Sequence, residues 1–441
     1  MTEKKQNFLE RNAVVIKIAA IAFLILLLLI PMAMVRSLVM ERRGRQIEAT
    51  KEITSKWGNE QCVTGPILTI PFKTYNVDKE TNKTVVSEHL AYFLPEKLRI
   101  NGMLNPSVRR RGIFKVAVYS STIEVEGYFK SPVTDFSDGA DIDLKGAYIT
   151  VGISDLRGIK ESISFNWEGI PLNCEPGSRI IQMVKSGVTV NDLFAKELGT
   201  QDIHFSFKMS LNGSENIKFI PVGRETDVLL KSSWNNPSFD GAFLPADREV
   251  SDSGFVAKWK VLELNRNYPQ KWVDSQQVLD NSAFGVSLLL PVETYQITER
   301  SMKYAILFIA LTFMVFFFVE VLRKLKVHPI QYGLVGLGLI LFYLLLLSLS
   351  EQIGFGYAYL IASIAIVLMI TGYSYSIFKN MRLTLLLGIL LAALYLFLYI
   401  LLQMQDYALL IGSIGLFVVL SVTMYLSRKI DWYSIGNGKS E

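Results

Sequence analysis

Long runs of apolar residues occupy both ends of the chain, and a polar middle separates them. A hydrocarbon core about 30 Å thick is crossed by roughly 20 residues of α-helix. Six runs reach that length and predict six transmembrane helices. Their expected bounds are 13–35, 304–322, 330–349, 357–377, 383–402 and 408–427.

The predicted spans contain two charged residues away from their edges, Lys17 and Glu320. Each lies within about two turns of a helix end, where a long side chain can extend along the helix to the headgroups. We therefore expect both side chains to snorkel to the membrane surface, which leaves almost no charge buried in the bilayer.

The first apolar run predicts an uncleaved anchor. It is long for a signal peptide, and it ends in PMAMVRS without an A-x-A-like cleavage site. The charged stretch that follows it, SLVMERRGRQIEATKEITSKW, is compatible with helix and predicts a short stalk.

Lysine and arginine counts in the short loops predict the orientation, because positive residues near helix ends stay in the cytoplasm. Seven lie on one side of the five C-terminal spans, and the loops SEQIGFG and QMQDY on the other side have none. Both termini are therefore expected inside the cell. Four arginines after the first span disagree with this rule, but a long translocated domain responds weakly to local charge. They are Arg36, Arg42, Arg43 and Arg45.

The polar middle has the two-residue period of β-strands. Apolar and polar residues alternate from Ile203 to Leu211, and Asn212 with Gly213 then predicts a turn before Ile217 and Phe219 resume the pattern. The expected structure is a β-hairpin. Further strands are predicted from Ile113, with a break or bulge near Ser120, and from Ala147, Glu161, Thr226 and Gly254, with turn-rich stretches at 132–143 and 235–250 between them.

These patterns together predict a multi-pass α-helical membrane protein with a large, mainly-β, sandwich-like extracytoplasmic domain. Residues 1–36 form the cytoplasmic N-terminus and anchor helix, and 37–300 form the β-rich domain with its stalk. Residues 301–430 form a five-helix transmembrane bundle, and 431–441 form a cytoplasmic tail.

Composition and motifs argue against several classes of function. A net charge of +5 over 441 residues, without a continuous basic stripe, gives no support for nucleic acid binding. The three histidines, His89, His204 and His328, share no metal-ligand spacing. Because the chain also lacks the G-x-S-x-G, S-x-x-K and phosphate-loop motifs, we expect no cofactor, no metal and no catalytic residues.

Two groups of residues in the middle are candidates for local roles. Cys62 and Cys174, the only cysteines, lie on the expected external side, where a disulfide is permitted, although two buried thiols fit the sequence equally well. A basic run could contact lipid or lipopolysaccharide headgroups, or form a solvated loop end. It consists of Arg109, Arg110 and Arg111.

Small residues in the third predicted span favour close helix packing over a solute pathway. They are Gly333, Gly336 and Gly338. Glycine lets helix backbones approach closely. A transporter more often has ionisable groups inside the membrane or matched broken helices, and the spans offer neither.

Long stretches of the chain resemble the CreD family of cell envelope integrity proteins of Gram-negative bacteria. The resemblance covers about 30–425 and includes TGPILTIPF, PVGRETDVLLKSSWNNPSFDGAFLP, LNRNYPQKW and HPIQYGLVGLGLILFYLLLLSLSEQIGFGYAYLIA. It implies a protein of the bacterial inner membrane, with a periplasmic domain, in an envelope-stress or carbon-source regulon, and it brings no enzymatic activity.

Two functions of different classes follow from these observations. The first is a non-enzymatic protein that supports envelope integrity, whose periplasmic domain binds an envelope partner not identified by the sequence, or the bilayer surface. The second is a transporter or flippase that moves an amphiphilic envelope component through the five-helix bundle. A modulator of a signalling kinase is a weaker reading, because the cytoplasmic parts are short.

Overall fold

The computed structural model describes residues 13–77, 84–131, 140–194, 202–290, 294–323, 325, 327–404 and 407–428. The expected cytoplasmic tail 431–441 lies outside these residues. The chain divides into two compact units. The helix unit comprises Met1–Gln46 and Val292–Glu441, and the β unit comprises Ile47–Pro291.

Seven α-helices lie in the described residues. A single helix, α1, runs through the first apolar stretch and the charged stretch after it, with Pro31 inside. The last turns of α1 belong to the β unit. The bounds are α1 Ala13–Trp57, α2 Thr294–Lys303, α3 Ala305–Arg323, α4 Pro329–Ile353, α5 Phe355–Phe378, α6 Met381–Gln403 and α7 Ala408–Ser427.

Five of these helices, α1 and α4 to α7, are long and apolar enough to cross a membrane. The helices α2 and α3 meet that condition only together, and they are bent by 43° where they join. Tyr304 stands at the break. The structure therefore gives five spans among the described residues, or six when the bent pair is counted as one.

The β unit contains seventeen described strands. They are β1 Gln61–Val77, β2 Thr84–Phe93, β3 Lys97–Arg111, β4 Phe114–Phe129, β5 Asp141–Ile142, β6 Tyr148–Ile153, β7 Ser164–Trp167, β8 Ile170–Pro176, β9 Gly187–Val190, β10 Ile203–Ser214, β11 Asn216–Ile220, β12 Glu225–Ser232, β13 Pro237–Gly241, β14 Asp247–Ser251, β15 Gly254–Leu262, β16 Lys271–Val273 and β17 Phe284–Leu288.

The strands form two sheets that share one hydrophobic core. In the first sheet, β1 pairs with β2, β5, β6 and β11. The second sheet has the order β14, β15, β12, β3, β4, β10, β7, and β8 joins the two sheets. Trp259 of the second sheet packs on Phe284 of the first, with ring centres 5.7 Å apart.

The expected hairpin at Asn212–Gly213 is wrong. The strand β10 continues through both residues and pairs with β4, whereas β11 pairs with β1 and β17 in the other sheet. Gly213 is required for close packing, because a Cβ there would lie 2.3 Å from the hydroxyl of Tyr119. The chain changes direction at Glu215, which has a positive φ of 61°.

Two further strand expectations need correction. The strand β4 is unbroken near Ser120, and its register with β3 is continuous from end to end. The apolar phase changes there because consecutive residues up to Tyr119 are buried, and the indole of Trp57 donates a hydrogen bond to the Tyr119 carbonyl. The stretch 235–250, expected to be turns, contains β13 and part of β14. The stretch 132–143 lies partly outside the described residues.

Asp155, in the loop after β6, holds the segment that directly follows α1. Its carboxylate accepts hydrogen bonds from the backbone N–H of Asn59 at 2.9 Å and from the guanidinium of Arg157 at 2.8 and 2.9 Å. These bonds, those of the Arg157 side chain most of all, lower the pKa of Asp155 from its ordinary value. The ionised form is the one that these donors stabilise.

We predict that Asp155→Asn lowers the free energy of unfolding by about 2 kcal/mol at neutral pH, because hydrogen bonds to a charged group are lost. The contribution of Asp155 is complete above the pKa of an unfolded aspartate, about 4. It disappears as the pH falls through the lowered pKa of the folded state. Thermal unfolding of the full chain in detergent, followed by tryptophan fluorescence, should show the difference at neutral pH and its progressive loss as the pH falls below about 4.

The matched control is Asp252→Asn, an exposed aspartate in the turn between β14 and β15. Its unfolding temperature should match that of the unchanged chain throughout. An Asp155→Asn chain as stable as the control at neutral pH would contradict the assigned role.

Candidate functional site: the charged clusters of the helix unit

Lys17 of α1 and Glu320 of α3 form an ion pair. The lysine side chain is 25% exposed and the glutamate side chain 8%. Lys17 Nζ also donates to the carbonyl of Val327 at 3.1 Å. The expectation that the two side chains snorkel separately to the headgroups is wrong, because a nearby opposite charge satisfies each of them inside the protein.

Both oxygens of Glu320 have additional donors. The backbone N–H of Val327 donates to Oε1 at 3.0 Å, and the hydroxyl of Tyr332 donates to Oε2 at 2.9 Å. Tyr332 is buried, and its ring packs edge-on against Phe313 with centres 5.4 Å apart. The cluster therefore joins α1, α3 and α4 and leaves the carboxylate occupied by protein donors.

A second charged cluster involves the residues that follow the first apolar run. Arg36 and Arg43 lie 4.0 and 3.5 Å from Glu299, and Arg42 lies 3.9 Å from Glu351. Three of the four arginines that disagree with the positive-inside rule thus have carboxylate partners within the helix unit. The fourth, Arg45, pairs with Glu41 on the same helix.

Tyr295 adds a hydrogen bond to the second cluster, from its hydroxyl to Glu351 Oε1 at 2.9 Å. Sequence reasoning missed both clusters, because spacing along the chain does not show which helices are neighbours. The predicted topology contained a signal that could have revealed both clusters. In the predicted topology Lys17 and Glu320 approach the same side of the membrane, and Glu299 and Glu351 lie on the same side as the four arginines.

The glycines of α4 differ in how closely they are packed. A Cβ at Gly336 would lie 2.2 Å from Leu28 of α1 and 3.0 Å from Phe313 of α3. At Gly338 it would lie 2.8 Å from Met369 of α5, and at Gly333 the nearest atom, in Leu24, is 3.9 Å away. Close helix contact therefore depends on Gly336 and, less strictly, on Gly338.

A cleft of about 980 Å³ lies between α5 and α6. Its lining is largely apolar, and its polar side chains are those of Tyr357, Tyr359, Ser363, Tyr395 and Tyr399. The Tyr359 hydroxyl already donates to the carbonyl of Tyr395 at 2.7 Å. The cleft could accommodate an acyl chain or a similar apolar group.

In the β unit, two of the three candidate headgroup arginines contact the last turns of α1. The guanidinium of Arg109 lies 4.6 Å from the ring centre of Trp57, and Arg111 pairs with Glu52. Arg110 is exposed at the end of β3. The basic run is thus the tip of the β3–β4 hairpin, and two of its charges hold α1.

The candidate disulfide is absent. Cys62 lies in β1 and Cys174 in β8, and both are free thiols. Cys62 stands opposite Lys218 of β11, and Cys174 stands opposite Val190 of β9. Burial raises the pKa of each thiol to about 11, so neither is a reactive thiolate near neutral pH.

His89 forms a chain of hydrogen bonds with a hydroxyl and a carboxylate. Its Nε2 lies 3.0 Å from Thr74 Oγ1, and its Nδ1 lies 2.6 Å from Asp274 Oδ2. Asp274 also accepts from the N–H of Leu90, and the imidazole stacks on Phe72. These contacts fasten the segment after β16 to β2, so we assign them a structural role.

The remaining histidines also have structural contacts. His204 packs against Tyr128 with ring centres 5.6 Å apart, and His328 caps α4 by accepting from the N–H of Ile330. Among the described residues, no group of three or more histidine, cysteine, aspartate or glutamate side chains could hold a metal ion.

Comparison with known proteins places this architecture in context. The family model described as "Inner membrane protein CreD" matches residues 13–433. The inner membrane protein CreD of Escherichia coli (strain K12) is 34% identical to the chain over 414 residues. That alignment covers 93% of this chain and 92% of the relative.

We predict that Glu320→Gln destabilises the helix unit by about 3 kcal/mol, because it leaves the Lys17 ammonium partly buried without a carboxylate. Replacing both residues, as Lys17→Met with Glu320→Gln, should restore most of this loss, since no charge then lacks a partner. The measurement is a double-mutant cycle on unfolding temperature in detergent.

The control for this cycle is Glu41→Gln, which breaks an exposed ion pair with Arg45 on α1 and should change stability by less than about 0.5 kcal/mol. Strictly additive effects of the two substitutions in the cycle would show that the pair is energetically uncoupled.

Proposed function

The chain belongs to the CreD family of inner membrane proteins, and from that premise we propose that it supports the integrity of the cell envelope as a non-enzymatic binding protein. In this proposal the helix unit anchors the chain in the inner membrane. The β unit lies in the periplasm and binds an envelope component without converting it.

The observation that carries the proposal is the internal pairing of charge in the helix unit. Lys17 and Glu320 neutralise each other and Tyr332 completes the hydrogen bonding of the carboxylate. A proton or ion pathway usually requires ionisable groups that face a water-filled cavity. Because these charges are neutralised by contacts between helices, they favour an anchoring role over an ion pathway.

The β unit offers the surface on which binding would occur. It comprises Ile47–Pro291, and its two sheets are supported by one continuous core. Its hydroxyl–imidazole–carboxylate chain at His89 is used to fasten two segments together, as described above. These features support binding by a rigid module.

The paired arginines support the proposed orientation, with both termini in the cytoplasm. Arg36, Arg42 and Arg43 oppose the positive-inside rule only if they act as free charges. Their pairing with Glu299 and Glu351 reduces their weight as determinants of topology.

A second candidate function is movement of an amphiphile along the helix unit. The cleft between α5 and α6 favours it, because the lining is apolar and has a few tyrosine hydroxyls. Such a surface could accept a lipid chain beside a polar headgroup. A substitution that fills the cleft would block transport but leave binding by the β unit unchanged, so it distinguishes the two functions.

We predict the topology from thiol labelling in a chain whose own cysteines are replaced by Cys62→Ser and Cys174→Ser. Lys208→Cys on β10 should react with a membrane-impermeant maleimide in intact spheroplasts. Lys379→Cys, after α5, should react only once the membrane is permeabilised. The reverse pattern would place the β unit in the cytoplasm and would overturn the proposal.

We predict that the full chain restores detergent survival to cells that lack it, and that the cleft-filling substitution Ala392→Phe does so equally well. Ala392 lines the cleft, and the adjacent Ala393 is exposed outside its lining, so that Ala393→Phe is the matched control. Survival counts in detergent and the amount of each chain in the membrane are the measurements.

The results distinguish the two functions. Loss of protection by Ala392→Phe alone, at unchanged chain amount, would favour transport through the cleft. Failure of the unchanged chain to restore survival would contradict a role in envelope integrity.

A further inference from the structure

A polar pocket of about 560 Å³ lies in the β unit beside two short 3₁₀ turns, Glu263–Asn265 and Asp280–Ser282. This volume is within the range of about 300–1,000 Å³ that is typical of small-molecule sites. Among the described residues, its lining has no aspartate or glutamate. The side-chain amides around it belong to Asn265, Asn267, Gln276, Gln277 and Asn281.

Arg266 brings a positive charge to the pocket, and among the described residues it forms no ion pair with a carboxylate. Its guanidinium donates to the carbonyls of Tyr268 at 2.6 Å and Val222 at 3.4 Å, and to the side chain of Gln270. Its Nε is buried without a hydrogen-bond partner in the described part of the chain. The nearby Glu263 interacts with Arg266 only through its charge, and its carboxylate forms an ion pair with Arg224 at 3.4 Å.

The guanidinium is held in place by protein acceptors and by stacking. Its central carbon lies 4.4 Å from the ring centre of Tyr268. Because the donors on its two terminal nitrogens are occupied and Nε is buried, Arg266 can attract an anion through its field without forming a bidentate bond. The charge would thus favour a negatively charged ligand, and direct hydrogen bonds would come from other residues.

Buried hydrogen bonds hold the floor of the pocket, and the amides at its rim are free to bind a ligand. Tyr268 and Ser282, both buried, share a hydrogen bond of 2.9 Å, and the Tyr268 hydroxyl also contacts the carbonyl of Pro221. Asn267 and Asn281 are exposed at the rim, and neither side chain has a hydrogen-bond partner among the residues described. Each amide offers both donors and an acceptor.

We propose that this pocket binds an anionic sugar unit of the envelope. Paired donors and acceptors on Asn267 and Asn281 match the hydroxyl and acetamido groups of an amino sugar, and the field of Arg266 selects its carboxylate or phosphate. The absence of acidic residues from the lining separates binding from glycoside hydrolysis, which uses paired carboxylates. The inference rests on the proposed function, because it names the ligand class of the β unit.

Three sugars of one scaffold test the inference on the full chain in lipid nanodiscs, with saturation-transfer NMR titrations as the measurement. They are N-acetylmuramic acid, with a carboxylate, N-acetylglucosamine 6-phosphate, with a phosphate, and neutral N-acetylglucosamine. At least one anionic sugar should bind about fivefold or more tightly than the neutral sugar. Comparing the two anionic sugars identifies which acidic group is recognised.

The variants Asn267→Ala and Asn281→Ala should each weaken binding of the preferred sugar by about threefold or more, because each removes one hydrogen bond to the ligand. Both residues are exposed, so unfolding temperatures should stay unchanged. Asn105→Ala, an exposed asparagine on β3 outside the pocket lining, is the matched control and should bind like the unchanged chain.

Equal binding of the neutral and anionic sugars, no binding of any of the three, or full binding by the Asn267→Ala and Asn281→Ala double variant would overturn the inference. The proposed function is judged separately, by survival in detergent. A chain that protects cells but binds none of the sugars would therefore refute the pocket and leave the proposed function standing.

Discussion

The helix unit depends on one constraint, which is that a charge inside a bilayer must find its partner within the protein. Lys17 and Glu320 satisfy it together, and the Tyr332 hydroxyl and the Val327 amide complete the carboxylate's hydrogen bonding. The same contacts fix which helices are neighbours. Gly336 then determines how closely α4 can approach α1 and α3, since even a methyl group would meet Leu28.

The β unit is built around a different requirement, the covering of one core by two sheets. The strand β1 is central because it pairs with four other strands along its length, in parallel with β11 and antiparallel with the rest. The C-terminal end of α1 also packs within this unit. Trp57, Glu52 and the Asp155 cluster attach that helix end to the second sheet and to the loop after β6.

Both units are consistent with a division of labour between anchoring and recognition. Charges in the helix unit are neutralised by ion pairs between helices. In the β unit, by contrast, Arg266 forms no ion pair among the described residues and lies beside exposed amides. A charge without an ion-pair partner at a polar pocket is more typical of a binding surface than of a structural element. The chemistry that distinguishes this protein is therefore expected in its β unit.

The sequence by itself determined the elements whose cause is local. Apolar runs located five of the seven described helices to within a few residues, and two-residue alternation located seven of the seventeen described strands, because both signals depend on neighbouring positions in one segment. Only the tertiary structure decided the partners. It replaced a hairpin after Leu211 with two strands in different sheets, left Cys62 and Cys174 apart, and joined Lys17 to a glutamate some three hundred residues away. These outcomes depend on which distant surfaces pack together, and hydrophobic periodicity carries no information about that choice.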